Sequence, residues 1–288
     1  MTSRWVTVIV EVPVDDIDLV SGLLWSAGVA GVEEIEADSG PQLRAGCDSA
    51  LVDAVLDALG TRWPIRVESV EVDAGLDAWR DHAEVWRAGE RFVIVPPWLE
   101  VPTALDDDAI VLSVDPGHAF GSGSHTTTRD CLAMLERLVA PDDLVVDIGC
   151  GSGVLAIAAI LLGGRAAIAT DIDDRALIAT AANAERCGVA DRVEVGAMSP
   201  AELDPGLADV VVANIGAGTI TANAEGLLPL VGDRGALVVS GLLDIQVDDV
   251  LSRFFDLGAV EAARVESGEW CTIELRRAHE VSGSATPA

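Results

Sequence analysis

One ten-residue segment constrains this chain more than any other: Val145-Val146-Asp147-Ile148-Gly149-Cys150-Gly151-Ser152-Gly153-Val154. An apolar, strand-like run meets three glycines at alternate positions, and an apolar, helix-like run over 154–162 follows. Glycine admits positive φ and removes the Cβ where a ligand must approach the main chain. A glycine pattern alone is a weak signal. Asp171 strengthens it, because it closes the next strand-like run 20 residues after Gly151 (171 − 151). A carboxylate there can accept hydrogen bonds from both hydroxyls of a ribose. The combination predicts a parallel α/β sheet carrying a nucleoside-binding turn.

The spacing separates two cofactors. A dinucleotide site requires G-x-G-x-x-G and a helix N-terminus open to pyrophosphate. This turn reads G-x-G-x-G and is preceded by an acid, Asp147. A carboxylate beside the loop repels pyrophosphate but suits a ligand bearing an ammonium and a sulfonium. S-adenosylmethionine is therefore the expected cofactor, with NAD as the alternative. A turn that serves only helix–strand packing leaves Asp171 unexplained.

The flanking pattern agrees. From residue 126 onward helical and strand-like segments alternate, with near-continuous apolar strands of the kind found in a parallel sheet covered on both faces. The runs 259–265 and 270–275, joined by a turn at Ser267-Gly268, read instead as an antiparallel hairpin. A mostly parallel seven-stranded sheet closed in this way is the class I, Rossmann-like methyltransferase fold. Upstream, residues 1–72 read strand-helix-strand-strand-helix-strand, a small ferredoxin-like α+β domain. Residues 73–90 are expected to form a linker helix, with Trp79 and Trp86 on one face. The runs 92–98 and 109–114 are expected to form a short strand pair, with Pro96 and Pro97 at its turn. The methyltransferase domain is then 91–278, and residues 279–288 a disordered tail.

Two further elements fall where ligands of such sheets bind. The strand-like run ending at Asn214 places that side chain in the cleft, where it can orient an attacking amine. An Asn capping the next helix is the bland alternative. The loop Asp115-Pro116-Gly117-His118-Ala119-Phe120-Gly121-Ser122-Gly123-Ser124-His125 leads into Thr126-Thr127-Thr128. Its glycines allow closure over a bound ligand. Phe120 is a candidate cover, and Thr127 and Thr128 are candidate hydrogen-bonding groups. His118 and His125 have no further ligand at metal-binding spacing, so no metal is expected. Five scattered cysteines form no Cys-x-x-Cys pair and read as free thiols.

Charge narrows the partners. The formal net charge is −30, and all 18 basic residues are Arg. Such a field repels nucleic acid and attracts basic proteins, although adaptation to salt would give the same composition. No apolar run reaches a membrane-spanning length, and the first residues carry no signal-peptide pattern. A cytoplasmic monomer is expected.

Taken together, the loop (DPGHAFGSGSHTTT), the turn (DIGCGSGVLAIAA) and the run VVANIGAG resemble the PrmA family. These bacterial enzymes methylate protein eleven of the large ribosomal subunit. The loop carries most of the specificity, being similar to the family's D-P-G-x-A-F-G-T-G-x-H-x-T-T. The resemblance implies that Thr128, Gly149, Asp171 and Asn214 bind S-adenosylmethionine. It also implies that the N-terminal domain docks the free, basic ribosomal protein, and that lysine ε-amines and an α-amine are methylated. The family commonly has Leu-Ala-Gly-Pro after Asn-Ile, whereas this chain has Gly216-Ala217-Gly218-Thr219, a departure that touches the acceptor channel. A related lysine methyltransferase acting on another protein is the nearest alternative. An oxidoreductase or a non-catalytic nucleoside-binding module are the distant ones.

Overall fold

A computed structural model describes residues 5–29, 31–37, 40–69, 83–117 and 119–278. His118, Trp79 and the tail 279–288, each assigned a role above, lie outside the described residues.

The N-terminal unit is a four-stranded antiparallel sheet with order β2-β3-β1-β4. Its strands are β1 (Trp5–Glu11), β2 (Gly31–Ala37), β3 (Gly40–Asp48) and β4 (Ile65–Ser69). Helices α1 (Ile17–Ser26) and α2 (Val52–Leu59) intervene as the sequence pattern predicts. Alternation sends Val8 and Val10 of β1, and Leu43 and Ala45 of β3, into one core with Val20, Leu24 and Val55 of the helices. Asp48 caps the second helical segment by accepting the N–H of Ala50 at 2.8 Å. The strands β2 and β3 pair as far as Ala37 and Gly40. Main-chain pairing extends the ladder through residues whose side chains give no apolar signal.

Strands β5 (Trp86–Ala88), β6 (Phe92–Val95) and β7 (Ile110–Ser113) form a second sheet. This corrects two expectations. Trp86 belongs to a strand and not to a helix ending the 73–90 linker. Its half-buried side chain, exposed Arg87 and buried Ala88 alternate with period two against β6. The pair β6–β7 is parallel, so Pro96 and Pro97 open a crossover rather than a hairpin turn. Phe92, Ile94 and Leu112 join the core of the large sheet.

That third sheet has seven strands in the order β10-β9-β8-β11-β12-β14-β13. They are β8 (Leu144–Ile148), β9 (Ala166–Thr170), β10 (Val193–Gly196), β11 (Ala208–Asn214), β12 (Val231–Leu243), β13 (Ala259–Ser267) and β14 (Trp270–Arg277). The first five in spatial order are parallel, β14 runs antiparallel to them, and the edge strand β13, antiparallel to β14, returns to their direction. Among the described residues five helices cover it: α3 (Thr126–Leu138), α4 (Val154–Leu161), α5 (Asp174–Arg186), α6 (Ala217–Leu230) and α7 (Asp244–Asp256). Val145 packs with Leu135 of α3, Ile157 of α4 and Ala184 of α5. Its neighbour Val146 packs with Ile220 of α6 and Phe254 of α7 on the other face. This is the class I methyltransferase arrangement. The ligand-binding edge of such a sheet is the carboxyl end of its parallel strands.

The N-terminal unit reaches that edge through α1. Gly22 sits directly against the Leu243 side chain, and the Gln246 amide donates to Ser26 Oγ at 3.0 Å. Among the described residues no helix is long and apolar enough to cross a membrane.

Candidate active site

The glycine turn after β8 is bound from both sides. The N–H groups of Gly149 and Cys150 both donate to the Thr170 carbonyl at the end of β9, at 2.8 and 2.9 Å. Gly151 has φ +54, and a Cβ on it would stand 2.5 Å from the Phe120 carbonyl oxygen. Ser152 donates its N–H to that same oxygen at 2.8 Å, and its Oγ donates to the Gly121 carbonyl at 2.8 Å. The loop 115–125 therefore lies directly on the turn, and glycine is required where their main chains meet.

Asp171 follows β9. Its Oδ2 accepts the Gly151 N–H and its Oδ1 the Asp173 N–H, both at 3.0 Å. Each oxygen keeps a lone pair for a ligand. Beside it Ile172 is fully exposed, an uncovered apolar face on the rim.

These groups open into a cavity of about 370 Å³. Gly149, Gly151, Asp171, Phe120, Thr127 and Asn214 all line it, as do Met198, Trp25 and Trp270. Asp147 and Thr128 stand behind the wall, each 1% exposed. Thr128 Oγ1 accepts from the Asn214 amide at 3.4 Å, which leaves the Asn214 carbonyl oxygen as the acceptor facing away from it. Helix α6 is capped by Gly216, so Asn214 is free of the capping role. Asp147 Oδ2 accepts the Ala156 N–H at 3.1 Å. Its Oδ1 is buried without a hydrogen-bond partner among the described residues. Burial, with Asp171 nearby, pushes the Asp147 carboxyl up to about 7.

His125 caps α3, its Nδ1 accepting the Thr127 N–H at 3.3 Å. Burial, reinforced by Arg129, lowers its pKa to about 4, so the ring is neutral. Among the described residues no group of three His, Cys, Asp or Glu side chains is placed to hold a metal ion. The five cysteines are free.

The sequence patterns missed three contributors. Trp25 comes from α1 of the N-terminal unit. Trp270 begins β14. Asn183, in the last turn of α5, is fully buried and ties the loop to the turn: its Nδ2 donates to the carbonyls of Asp115 (2.9 Å) and Ser152 (2.8 Å), and its Oδ1 accepts the Asp115 N–H (3.0 Å).

The family model for ribosomal protein L11 methyltransferase (PrmA) matches residues 50–278. The chain belongs to the ribosomal protein L11 methyltransferase family. A relative of that name from Acinetobacter baumannii (strain AYE) is 43% identical over 237 residues, covering 80% of this chain and 76% of the relative. Another from Vibrio parahaemolyticus is 44% identical over 220 residues, covering 76% and 72%. A crystal structure of ribosomal protein L11 methylase from Lactobacillus delbrueckii subsp. bulgaricus superposes with a TM-score of 0.63 at 29% identity, over 68% of this chain and 99% of that one. Membership makes the chain an adenosylmethionine-dependent methyltransferase. The cavity lies where this family's fold places its cofactor edge, at the carboxyl ends of β8, β9 and β11.

Proposed function

We propose that this chain transfers methyl groups from S-adenosylmethionine to lysine ε-amines, and to the N-terminal α-amine, of ribosomal protein L11. The observation that carries the reading is the placement of Asp171 and Asn214 on one cavity wall, on either side of the glycine turn. The residues fit the cofactor chemically. Asp171 offers acceptors for two ribose hydroxyls, Ile172 and Met198 offer apolar surface for a base, and Gly149 and Gly151 bring the main chain of the turn to the cavity wall. The unpartnered Asp147 oxygen lies behind the turn, where its charge, gained as pH rises through about 7, favours an ammonium and a sulfonium. Gly149, Gly151, Phe120 and Thr127 complete this cradle, with Thr128 positioning Asn214.

Bound there, adenosylmethionine supplies an electrophilic methyl group, and the amine gains an N–C bond as the C–S bond breaks. The chain's own task is to position and desolvate the amine. Asn214 accepts an N–H of the neutral amine through its carbonyl oxygen and aims the lone pair. His125, its pKa lowered to about 4, is too weak a base to take the amine's proton, which leaves to water. The N-terminal unit docks the protein substrate, whose basic character complements a net charge of −30. The enzyme acts as a cytoplasmic monomer on the free ribosomal protein, without contacting nucleic acid.

Methyl transfer from radiolabelled adenosylmethionine to purified L11, and to a ribosomal lysate, tests this reading. A labelled L11 band is expected; a different labelled band would name another substrate. Calorimetry should give binding of adenosylhomocysteine and none of NAD. Asn214→Ala should lower turnover far more than adenosylhomocysteine affinity, and unchanged turnover would remove Asn214 from the acceptor site.

A further inference from the structure

The glycine turn is gripped from behind by α5. Thr180 is fully buried, and its hydroxyl lies 3.0 Å from the Gly151 carbonyl oxygen and 3.3 Å from Cys150 Sγ. A carbonyl oxygen can only accept, so Thr180 donates to Gly151. The hydroxyl oxygen is then left to accept the S–H of Cys150. Burial pushes the Cys150 thiol up, which keeps that proton in place. A Thr within a helix commonly bonds back to the carbonyl four residues earlier, whereas Thr180 reaches across to another segment. Three residues on, Asn183 Nδ2 donates to the Ser152 carbonyl at 2.8 Å. One face of α5 therefore holds the carbonyls of two successive turn residues.

The Gly151 carbonyl shares its peptide plane with the Ser152 N–H, which donates to the Phe120 carbonyl at 2.8 Å. The preceding plane is held at both ends too. Its Cys150 carbonyl accepts the Gly153 N–H at 2.8 Å, and its Gly151 N–H donates to Asp171. Gly151 has φ +54, and the freedom that lets a glycine enter this conformation also lets it turn away. Bonds on both planes remove that freedom. We infer that Thr180 is a positioning residue for the methionine end of the cofactor: by holding the Gly151 carbonyl against α5 it stops the 151–152 peptide from turning over, so the turn keeps its shape before the ligand arrives. The inference rests on the cofactor reading above, which puts ribose at Asp171 and the ammonium and sulfonium along the turn in front of Asp147. A site ordered in advance gains affinity because less freedom is lost on binding. Donation to the Gly151 carbonyl also polarises the shared peptide and strengthens the bond from Ser152 to Phe120. The Thr180 methyl acts on a second glycine: a Cβ at Gly153 would stand 2.6 Å from Thr180 Cγ2.

The test uses the full-length enzyme and two probes in calorimetry: adenosylhomocysteine, and adenosine, which lacks the amino-acid end. Thr180→Val keeps the methyl and loses the hydroxyl, whereas Thr180→Ser keeps the hydroxyl. Thr180→Val is expected to weaken adenosylhomocysteine about tenfold and adenosine by less than about threefold. Thr180→Ser should stay within about threefold of wild type for both probes. In the ligand-free enzyme the Ser152 amide proton resonance should move upfield in Thr180→Val and return toward its wild-type position in Thr180→Ser. Equal weakening of the two probes would mark a general stabiliser and overturn the inference, as would unchanged adenosylhomocysteine affinity in Thr180→Val. A loss in Thr180→Ser as large as in Thr180→Val would assign the effect to packing of the methyl and overturn it as well. If Thr180→Val folds poorly, Thr180→Ala against Thr180→Ser isolates the same hydroxyl. A wild-type enzyme that binds adenosine as tightly as adenosylhomocysteine would sink the cofactor reading itself. Selective binding of adenosylhomocysteine, with no selective loss in Thr180→Val, would sink the role of Thr180 alone.

Discussion

The Gly151 N–H donates to Asp171 Oδ2 across 3.0 Å, joining the glycine turn to the end of the neighbouring strand. The bond fixes the carboxylate on the cavity wall while the Asp173 N–H holds its other oxygen. One side chain thereby shapes the turn and faces the cavity where the proposed reading puts the ribose.

Replacing Asp171 by Asn should weaken the cofactor without unfolding the chain. An amide retains one acceptor oxygen for Gly151 but loses a charged acceptor for ribose. Hydrogen bonds to charged groups contribute about 1.5–3 kcal/mol, so the Kd for adenosylhomocysteine should rise roughly 10- to 100-fold. Calorimetry measures it, and circular dichroism checks the fold. An unchanged Kd would show that Asp171 serves the turn alone.

Asp147 predicts a pH dependence with a definite sign. Its folded pKa, about 7, lies above the ordinary value of about 3.9. The folded state holds this proton where the unfolded state has released it, so stability is lost as pH rises from about 4 through 7. Asp147→Asn keeps the acceptor for Ala156 and removes the buried charge. It should be more stable than wild type at pH 8, by up to about 4 kcal/mol, and nearly equal at pH 4. Ionised Asp147 also favours a nearby cation, so affinity for adenosylmethionine should rise from pH 6 to 8. Affinity for adenosylhomocysteine, which lacks the sulfonium charge, should rise less. Denaturant titrations and calorimetry at the three pH values check both. A flat difference between mutant and wild type would contradict the ionisation assigned to Asp147.

Much of this site was legible because its parts are local in sequence. The run from Val145 of β8 through the glycines to Asp171 couples strand, turn and acid within 27 residues (171 − 145 + 1), and short spacing fixes geometry. Asn214 follows from its place at a strand end. Trp25 was not legible, since a Trp on an apolar helix reads as core, and only packing of α1 on the large sheet brings it to the cavity. Asn183 sits in a polar helix where an Asn ordinarily faces solvent. Trp86 was misread because two Trp residues seven apart imitate a helical stripe, whereas its strand partner Ile94 lies eight residues downstream. The parallel β6–β7 pairing depends on a crossover that periodicity cannot reveal.

Asn183 should prove a positioning residue for the loop. Its three bonds to Asp115 and Ser152 are made in a buried setting. Asn183→Ala strands two carbonyls and one N–H, at about 1–3 kcal/mol for each group left unsatisfied. The melting temperature should fall by several degrees. Amide hydrogen exchange should rise in the loop 115–125 more than in β8, with a larger KM for adenosylmethionine. A uniform rise in exchange would instead mark a purely global stabiliser.

The contact between Gly22 and Leu243 should control turnover from outside the cavity. Gly within a helix costs about 1 kcal/mol relative to Ala, and here it permits α1 to press on the Leu243 side chain. Even Gly22→Ala would place its Cβ 2.1 Å from Leu243 Cδ1 and 2.5 Å from its Cγ, so it requires a new Leu243 rotamer and should cost less than a larger side chain. Gly22→Val cannot be relieved in that way, because its branched methyls extend further into a residue only 2% exposed. The expected result is outward displacement of α1 and of Trp25 with it. Methyl transfer to L11 should fall on the order of tenfold, equivalent to about 1.4 kcal/mol. Adenosylhomocysteine affinity should change little, since Asp171 and the glycine turn belong to the other unit. Adding Leu243→Ala to Gly22→Val removes the clash and should restore part of the lost turnover, a non-additivity expected of side chains in contact. Additive losses in the double variant would mean that the helix is not seated through this pair.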